Sequence, residues 1–441
     1  MLSAWVNCEG ETQMAQDGVL TRRVMGMLST RVPEVGLKSV ADPRDARGKQ
    51  WALEALLNAM LMGVMAGCKN LAEVETVTDE LSPIARRRLK IRRRVADTTM
   101  RDAAVNIDPE EICRVIRQSA RSAERRKALE PDGLPLDVVA MDGKSTTVEE
   151  LDQKYAQTHR DTGGLAACGL VRTITCTKVS ARAKVCLEVI PMGAKGNEVG
   201  FFKQAFEQLQ KNHPKSFDLV TYDAGAYSAA NAQVVVAAEK DYLFGLRNKR
   251  RFLRQKAERV LGKSTNVQAS SVDVLSKSDD IRVTRRLYMA EAPRGYGTIK
   301  SVRTILRVQS EKVAGAGSVV ATEDRYFISS CLHNRLTAEQ WLELVRRHWA
   351  VEVCHNVLDV AFEEDKHPWI THSAQGMLVV LLLRRLGYNL LALFRSVTQR
   401  SDERRRTPWK TLFRWVAKAL EQATEEHVRG LREREEQPVC S

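Results

Sequence analysis

Apolar residues recur at three- and four-residue spacing through Trp51, Leu53, Leu56, Leu57, Met60, Leu61 and Val64. That period predicts a helix with one buried face, opening after Asp42-Pro43-Arg44-Asp45-Ala46-Arg47-Gly48. A second helical region runs from Glu73 to about Arg126, rich in Arg and Ala and poor in strand formers. The first thirty residues show no such order and read as irregular. After the turn Pro131-Asp132-Gly133 the pattern becomes that of strands. Leu136 to Met141 reads as a buried strand ending at Asp142-Gly143, followed by a strand pair at Gly169 to Lys178 and Lys184 to Met192. Asn197 to Lys211 is predicted helical, with Phe201, Phe202, Phe206 and Leu209 on one face. Asp218 to Tyr222 is a short strand ending at Asp223-Ala224-Gly225, Ala229 to Glu239 a helix, and Tyr242 to Leu246 a further strand.

A polar, strand-tending region follows, with Ile281 to Tyr288 and Val302 to Val308 as antiparallel strands of an insertion. Arg325 to Cys331 returns to a buried strand. Thr337 then caps one long helix, Ala338 to Val360. The remaining third is helical and ends in Arg432-Glu433-Arg434-Glu435-Glu436, expected to be disordered. Alternating strands and helices make an α/β fold with a mixed sheet. The expected segments are an irregular start (1–31), a helical domain (32–130), an α/β domain (134–395) with a β-rich insertion at about 253–323, and a basic helical tail (396–441).

Composition adds a partner. The 441 residues carry 69 Lys+Arg against 55 Asp+Glu, a formal charge of +14, which suits a polyanion because neutralised phosphates release counterions. Basic runs such as Arg86-Arg87-Arg88-Leu89-Lys90-Ile91-Arg92-Arg93-Arg94 concentrate that charge. The nine cysteines are scattered and never form a CxxC pair, which argues against a disulfide framework or a zinc site. No basic segment leads into an apolar run at the start, and the apolar stretch Met377 to Leu383 stops at Arg384-Arg385, too short to span a bilayer. A reduced, cytoplasmic protein is expected, associated with the nucleoid, with no membrane and no small-molecule substrate.

Two aspartates follow predicted strands, and ligands collect beyond the carboxyl ends of strands in α/β sheets. An aspartate there is as readily a turn residue or a helix cap. On the long helix, a 3.6-residue period puts Leu342, Val345, Trp349, Val353 and Val360 on an apolar stripe and His348, Glu352, His355 and Asp359 on a polar one. The polar stripe reads equally as a solvated face. Glu363-Glu364-Asp365 reads as an acidic surface loop, with metal ligation as the alternative.

From about Val32 to about Leu393 the chain resembles the DDE transposases of the H-repeat-associated insertion-sequence family. The resemblance rests on Asp42 to Gly48, Ala140-Met141-Asp142-Gly143-Lys144, Lys195-Gly196-Asn197-Glu198 with Thr221-Tyr222-Asp223-Ala224, and Arg346 to Glu352 followed by Leu358 to Asp365. It implies an RNase H-like catalytic core, a transposase-associated DNA-binding domain before it, and Asp142, Asp223 and Glu352 as catalytic metal ligands for Mg²⁺. Two ions are implied, with Mn²⁺ able to substitute. It further implies contacts to double-stranded DNA, at element ends and target, from Asn248, Arg347 and His348, and a homodimer on DNA. Lys144 and the basic residues Lys249, Arg250 and Arg251 after the strand Tyr242 to Leu246 are expected to hold DNA as well, the basic stretch reading equally as a surface loop that keeps the protein soluble. Two positions depart from the family pattern: Val353 stands where Asn is usual, and the spacing from Glu352 to Leu358 is one residue short. One residue turns a helix by about 100°. A degenerate, DNA-binding remnant and a different RNase H-like nuclease therefore stand as alternatives to an active transposase.

Overall fold

The computed structural model describes residues 2–45, 47, 49–149, 154–159, 168–193, 198–223, 228–246, 251–262, 269, 271–278, 281–293, 296, 299–314 and 319–431. Asn248, Lys249 and Arg250, the segment Lys195 to Asn197 and the charged tail from Arg432 lie outside the described residues, as does the Arg251 side chain. The chain divides into two compact units. One comprises residues 1–126, 145–172 and 355–441, the other 127–144 and 173–354.

The first unit is mainly helical. Its N-terminal helices are α1 (Leu2–Val35), α2 (Leu53–Ala66), α3 (Leu71–Asp79), α4 (Pro83–Leu89), α5 (Asp97–Asn106) and α6 (Pro109–Arg125). The first thirty residues, expected to be irregular, instead form α1. Tertiary packing explains the difference, because Val24, Met25, Leu28, Val32 and Val35 bury a stripe at helical spacing. Asn70, Ser82 and Asp108 side chains cap α3, α4 and α6 by accepting from backbone N–H groups. Helix α2 is buried from Ala55 to Met65 and ends at Gly67, whose φ of 81° only glycine adopts without strain. A Cβ there would also meet the Phe413 ring at 2.8 Å.

The second unit is built on a sheet. Its strands are β1 (Val138–Val148, in this unit as far as Lys144), β3 (Cys168–Lys178, in this unit from Thr173), β4 (Cys186–Pro191), β5 (Leu219–Tyr222), β6 (Asp241–Gly245), β7 (Ser271–Ser278), β8 (Ile281–Glu291), β9 (Thr304–Ala314) and β10 (Val319–Ser329). The short β2 (Ala156–His159) pairs antiparallel with Cys168–Val171, within the first unit. The order is β3-β1-β5-β6-β10-β9-β8-β7, with β4 on the outside of β3. Strands β1, β5 and β6 are mutually parallel, whereas β6-β10 and the β7 to β10 meander are antiparallel. This is an α/β fold built on a mixed sheet. The insertion continues the same sheet rather than standing apart, and includes β7, which the sequence pattern did not reveal.

Period-two alternation sorts the two faces. Val138 and Ala140 of β1 and Leu219 of β5 join a core with Trp341, Leu344 and Val345 of helix α10 (Ala338–His348). Between α6 and α10 lie α7 (Glu198–Asn212), α8 (Ala229–Ala237) and α9 (Arg251–Leu261). On the opposite face, Tyr222 and Phe244 meet the Phe202 ring of α7 edge-on, with centroids 5.4 and 5.7 Å away.

Helix α12 (Ala374–Leu393) of the first unit carries the most apolar segment and is long and apolar enough to cross a membrane. It is instead a core helix, 94% buried over that stretch. The arginines expected to end it, Arg384 and Arg385, sit in its middle with almost no exposure.

Candidate active site

Asp142 was expected just past a strand but lies inside β1, because Lys144 to Val148 includes the β-branched Thr146, Thr147 and Val148, which extend the strand. Its geometry follows from register. Residues Val138, Val139, Ala140 and Met141 pair with Leu219, Val220, Thr221 and Tyr222 on the parallel strand β5. Asp142 follows Met141 within β1, and Asp223 follows Tyr222, the last residue of β5. Val138 and Ala140 of β1 and Leu219 of β5 share the face toward α10, and Thr221 of β5 meets His348 of α10. Asp142 is half-buried and Asp223 exposed.

The predicted long helix is broken at Trp349 into α10 and α11 (Ala350–Val360). A capping box of Thr337 and Gln340 starts α10. At its last turn, three consecutive side chains tie it down. Arg347 donates to the Ser180 carbonyl at 2.6 Å and to Glu343 at 2.6 Å. His348 Nδ1 lies 2.9 Å from Thr221 Oγ1. The Arg325 guanidinium sits 4.8 Å over the Trp349 ring. Past the break the stripes shift: Val351, Cys354, Val357 and Leu358 are buried, while Val353 and Val360, expected on the apolar side, are 58% and 60% exposed. His355, expected on the polar stripe, is buried too. Glu352 is exposed, one helical turn beyond His348, and Cys354 Sγ lies 3.7 Å from Cys186 Sγ on β4.

Burial pushes the His348 imidazole down to about 4, against the pull of the nearby Asp142 charge and with help from Arg325. His348 is therefore neutral at pH 7. Of the residues expected to approach DNA phosphate, His348 is a buried ring and Arg347 is engaged by Glu343 and the Ser180 carbonyl. Lys144, two residues along β1 from Asp142, is half-buried.

A second group of acids lies in the helical unit. Oxygens of Asp359, Glu364 and Asp365 fall within 4.8 Å of one another. Glu364 is fully buried and ion-paired with Arg385, and Asp365 accepts from Thr146 Oγ1 at 3.1 Å. The acidic surface loop expected at 363–365 is thus half core. Its signal in the sequence was the pair Arg384-Arg385 inside an apolar helix, since buried arginines require a counter-ion.

The Transposase DDE domain model matches residues 133–388, more than half of the chain. The chain belongs to this family of DDE transposases. The DDE_Tnp_1-associated model matches residues 36–119, the stretch of α2 to α6 and the residues just before it. Among solved structures, a similar chain is that of the cryo-EM structure of the piggyBac transposase synaptic complex with hairpin DNA. It is 12% identical with a TM-score of 0.38, over 92% of this chain and 80% of that one. Comparison with curated proteins gives no match. In this DDE transposase, Ser180, Thr221 and Arg325 contact Arg347, His348 and Trp349 and were not singled out from the sequence. Only Thr221 left a trace, as the residue two before Asp223 on a strand.

Proposed function

We propose that the chain is an insertion-sequence transposase that binds the ends of its element and catalyses metal-dependent DNA strand cleavage and strand transfer. Asp142, Asp223 and Glu352 are its metal ligands in this reading. The observation that supports it most is the β1–β5 register, whose last pair, Met141 and Tyr222, is followed on each chain segment by one of the two aspartates, with α10 tied to Thr221 of β5 at the turn before Glu352. All three donors are hard carboxylate oxygens at half-buried or exposed positions, a set that suits Mg²⁺ or Mn²⁺. Bound there, two divalent ions would supply activation of the attacking oxygen and charge stabilisation of the leaving one.

The chain's own residues orient the DNA. Lys144 holds phosphate beside Asp142. The basic segment Asn248, Lys249, Arg250 and Arg251, which follows β6, grips the backbone near the scissile bond, positioning rather than specifying. Residues 32–130 contribute to recognising element ends, and two copies act together on DNA. The second reading is a remnant that keeps fold and DNA binding without turnover, favoured by the exposed Val353 in place of the family's Asn.

The test is incubation of purified protein with DNA bearing the element's terminal repeats and Mg²⁺. Wild type should nick at the repeat ends. Asp142→Asn and Asp223→Asn should lose about 4 kcal/mol of transition-state stabilisation, roughly 10³-fold in rate, with end binding retained. Binding without any wild-type cleavage would favour the remnant.

A further inference from the structure

Helix α10 gives way to α11 at Trp349 with no proline or glycine at the junction. A break in the backbone hydrogen-bond ladder is a place where a helix can re-aim, so the direction of the following turn depends on what fixes the residues around it. Glu352 stands in that turn. Immediately before the break, His348 is 5% exposed, and its Nδ1 meets the hydroxyl of Thr221, itself fully buried. A buried hydroxyl keeps its partner because losing it costs the desolvation of both groups. The contact joins the two carriers of the candidate site. Thr221 is two residues before Asp223 and pairs with Ala140, two residues before Asp142. His348 is one turn before Glu352.

We propose that His348 and Thr221 are positioning residues: their hydrogen bond fixes the end of α10 on β5 and so sets the separation of the Glu352 carboxylate from those of Asp142 and Asp223. This rests on the reading of those three acids as metal ligands. Neither residue touches metal or DNA in this role. The hydrogen bond preorganises the ligand set, so that the approach of Glu352 is fixed before a cation arrives. The contact at Cys354–Cys186 holds α11 after Glu352 but is a thiol contact at 3.7 Å, a weaker restraint than the hydroxyl–imidazole bond before it.

The experiment is calorimetric titration of full-length protein with Mn²⁺ in the absence of DNA, beside thermal unfolding and the Mn²⁺ dependence of end cleavage. Thr221→Val removes the hydroxyl at nearly constant volume, Thr221→Ser restores it, and Asp142→Asn serves as control. Thr221→Val should stay folded and bind DNA ends as wild type does. It should bind Mn²⁺ about 10-fold more weakly or worse, with cleavage recovering as Mn²⁺ is raised, and Thr221→Ser should return affinity to near wild type. If Thr221→Val does not fold, His348→Leu gives the same readout and His348→Asn the rescue. A folded Thr221→Val with wild-type Mn²⁺ affinity and metal dependence overturns the positioning role if Asp142→Asn loses the metal. If Asp142→Asn also binds Mn²⁺ as wild type does, the ligand assignment itself fails, and the positioning role with it.

Discussion

The acidic cluster Asp359, Glu364 and Asp365 and the proposed ligands Asp142, Asp223 and Glu352 differ in what surrounds them. Asp359, Glu364 and Asp365 are drawn within 4.8 Å of each other, yet Glu364 has no exposure and faces Arg385, which is equally buried. Arg384 beside it donates to the carbonyls of Glu364 and His367, and burial pushes its guanidinium down to about 10. Asp142, Asp223 and Glu352 are half-buried or exposed and come from two strands and a helix. A carboxylate taken out of water needs a cation fixed in the fold, because the desolvation cost exceeds what weak contacts return. One that stays hydrated can exchange water for an incoming hard cation. On this argument a buried, ion-paired cluster is less suited to take up a cation than carboxylates that stay hydrated.

The sharpest break of this comparison is in stability. Glu364→Gln leaves Arg385 charged and buried without its partner, which should destabilise the fold by about 3–5 kcal/mol in chemical unfolding, while cleavage per folded molecule stays at the wild-type level. A milder variant with lost Mn²⁺ binding would make the buried group the metal site.

Next in size is a pH effect at the other group. The His348 ring titrates near 4 when folded and near 6.5 in an unfolded chain. As pH falls from 6.5 to 4, the unfolded state takes up the proton first. Stability present above pH 6.5 is therefore lost across that window, by about 3 kcal/mol. His348→Asn keeps a hydrogen-bonding group without a titrating one, so its stability should fall less over the same range in metal-free buffer. An unchanged slope would remove His348 as the source.

The smallest effect concerns the basic run of the helical unit. Arg87 pairs with Glu425, Arg94 with Glu75, and Arg86 donates to the carbonyls of Leu81 and Asp79. Much of the charge that suggested DNA binding is thus internally engaged. Arg92 and Arg93 are exposed, with Arg93 stacked on Trp51. Replacing both with Ala should weaken binding to end DNA several-fold and make its salt dependence shallower by about two phosphate contacts. Wild-type affinity and slope would remove this face from DNA recognition.

Strand identities and the α/β alternation were legible in the sequence because period-two burial is local: Leu219 to Tyr222 alternates between two cores as the pattern implies. Asp142 and Asp223 stood out as candidates for the same reason, although Asp142 lies inside its strand rather than past it. The α10–α11 break was not, since neither proline nor glycine marks it. The side chains that pin the break reach Ser180, Thr221 and Arg325, all distant in sequence. The stripe assignment therefore failed beyond Trp349, moving His355 inside and Val353 and Val360 out. Helix α1 was missed because its apolar stripe is read only against its partners. Glu364 looked like surface because it lies in the turn after α11, 21 residues from its counter-ion Arg385 on α12.

The most direct test of which acids hold the catalytic ions is a side-by-side comparison of Glu352→Gln and Asp359→Asn, both shown to be folded. Mg²⁺-dependent cleavage would be measured on DNA carrying the terminal repeats. Glu352→Gln should bind the DNA and fail to cleave it, while Asp359→Asn cleaves at a rate near wild type. Cleavage retained by Glu352→Gln and lost by Asp359→Asn would contradict the assignment and move the metal centre to the helical unit.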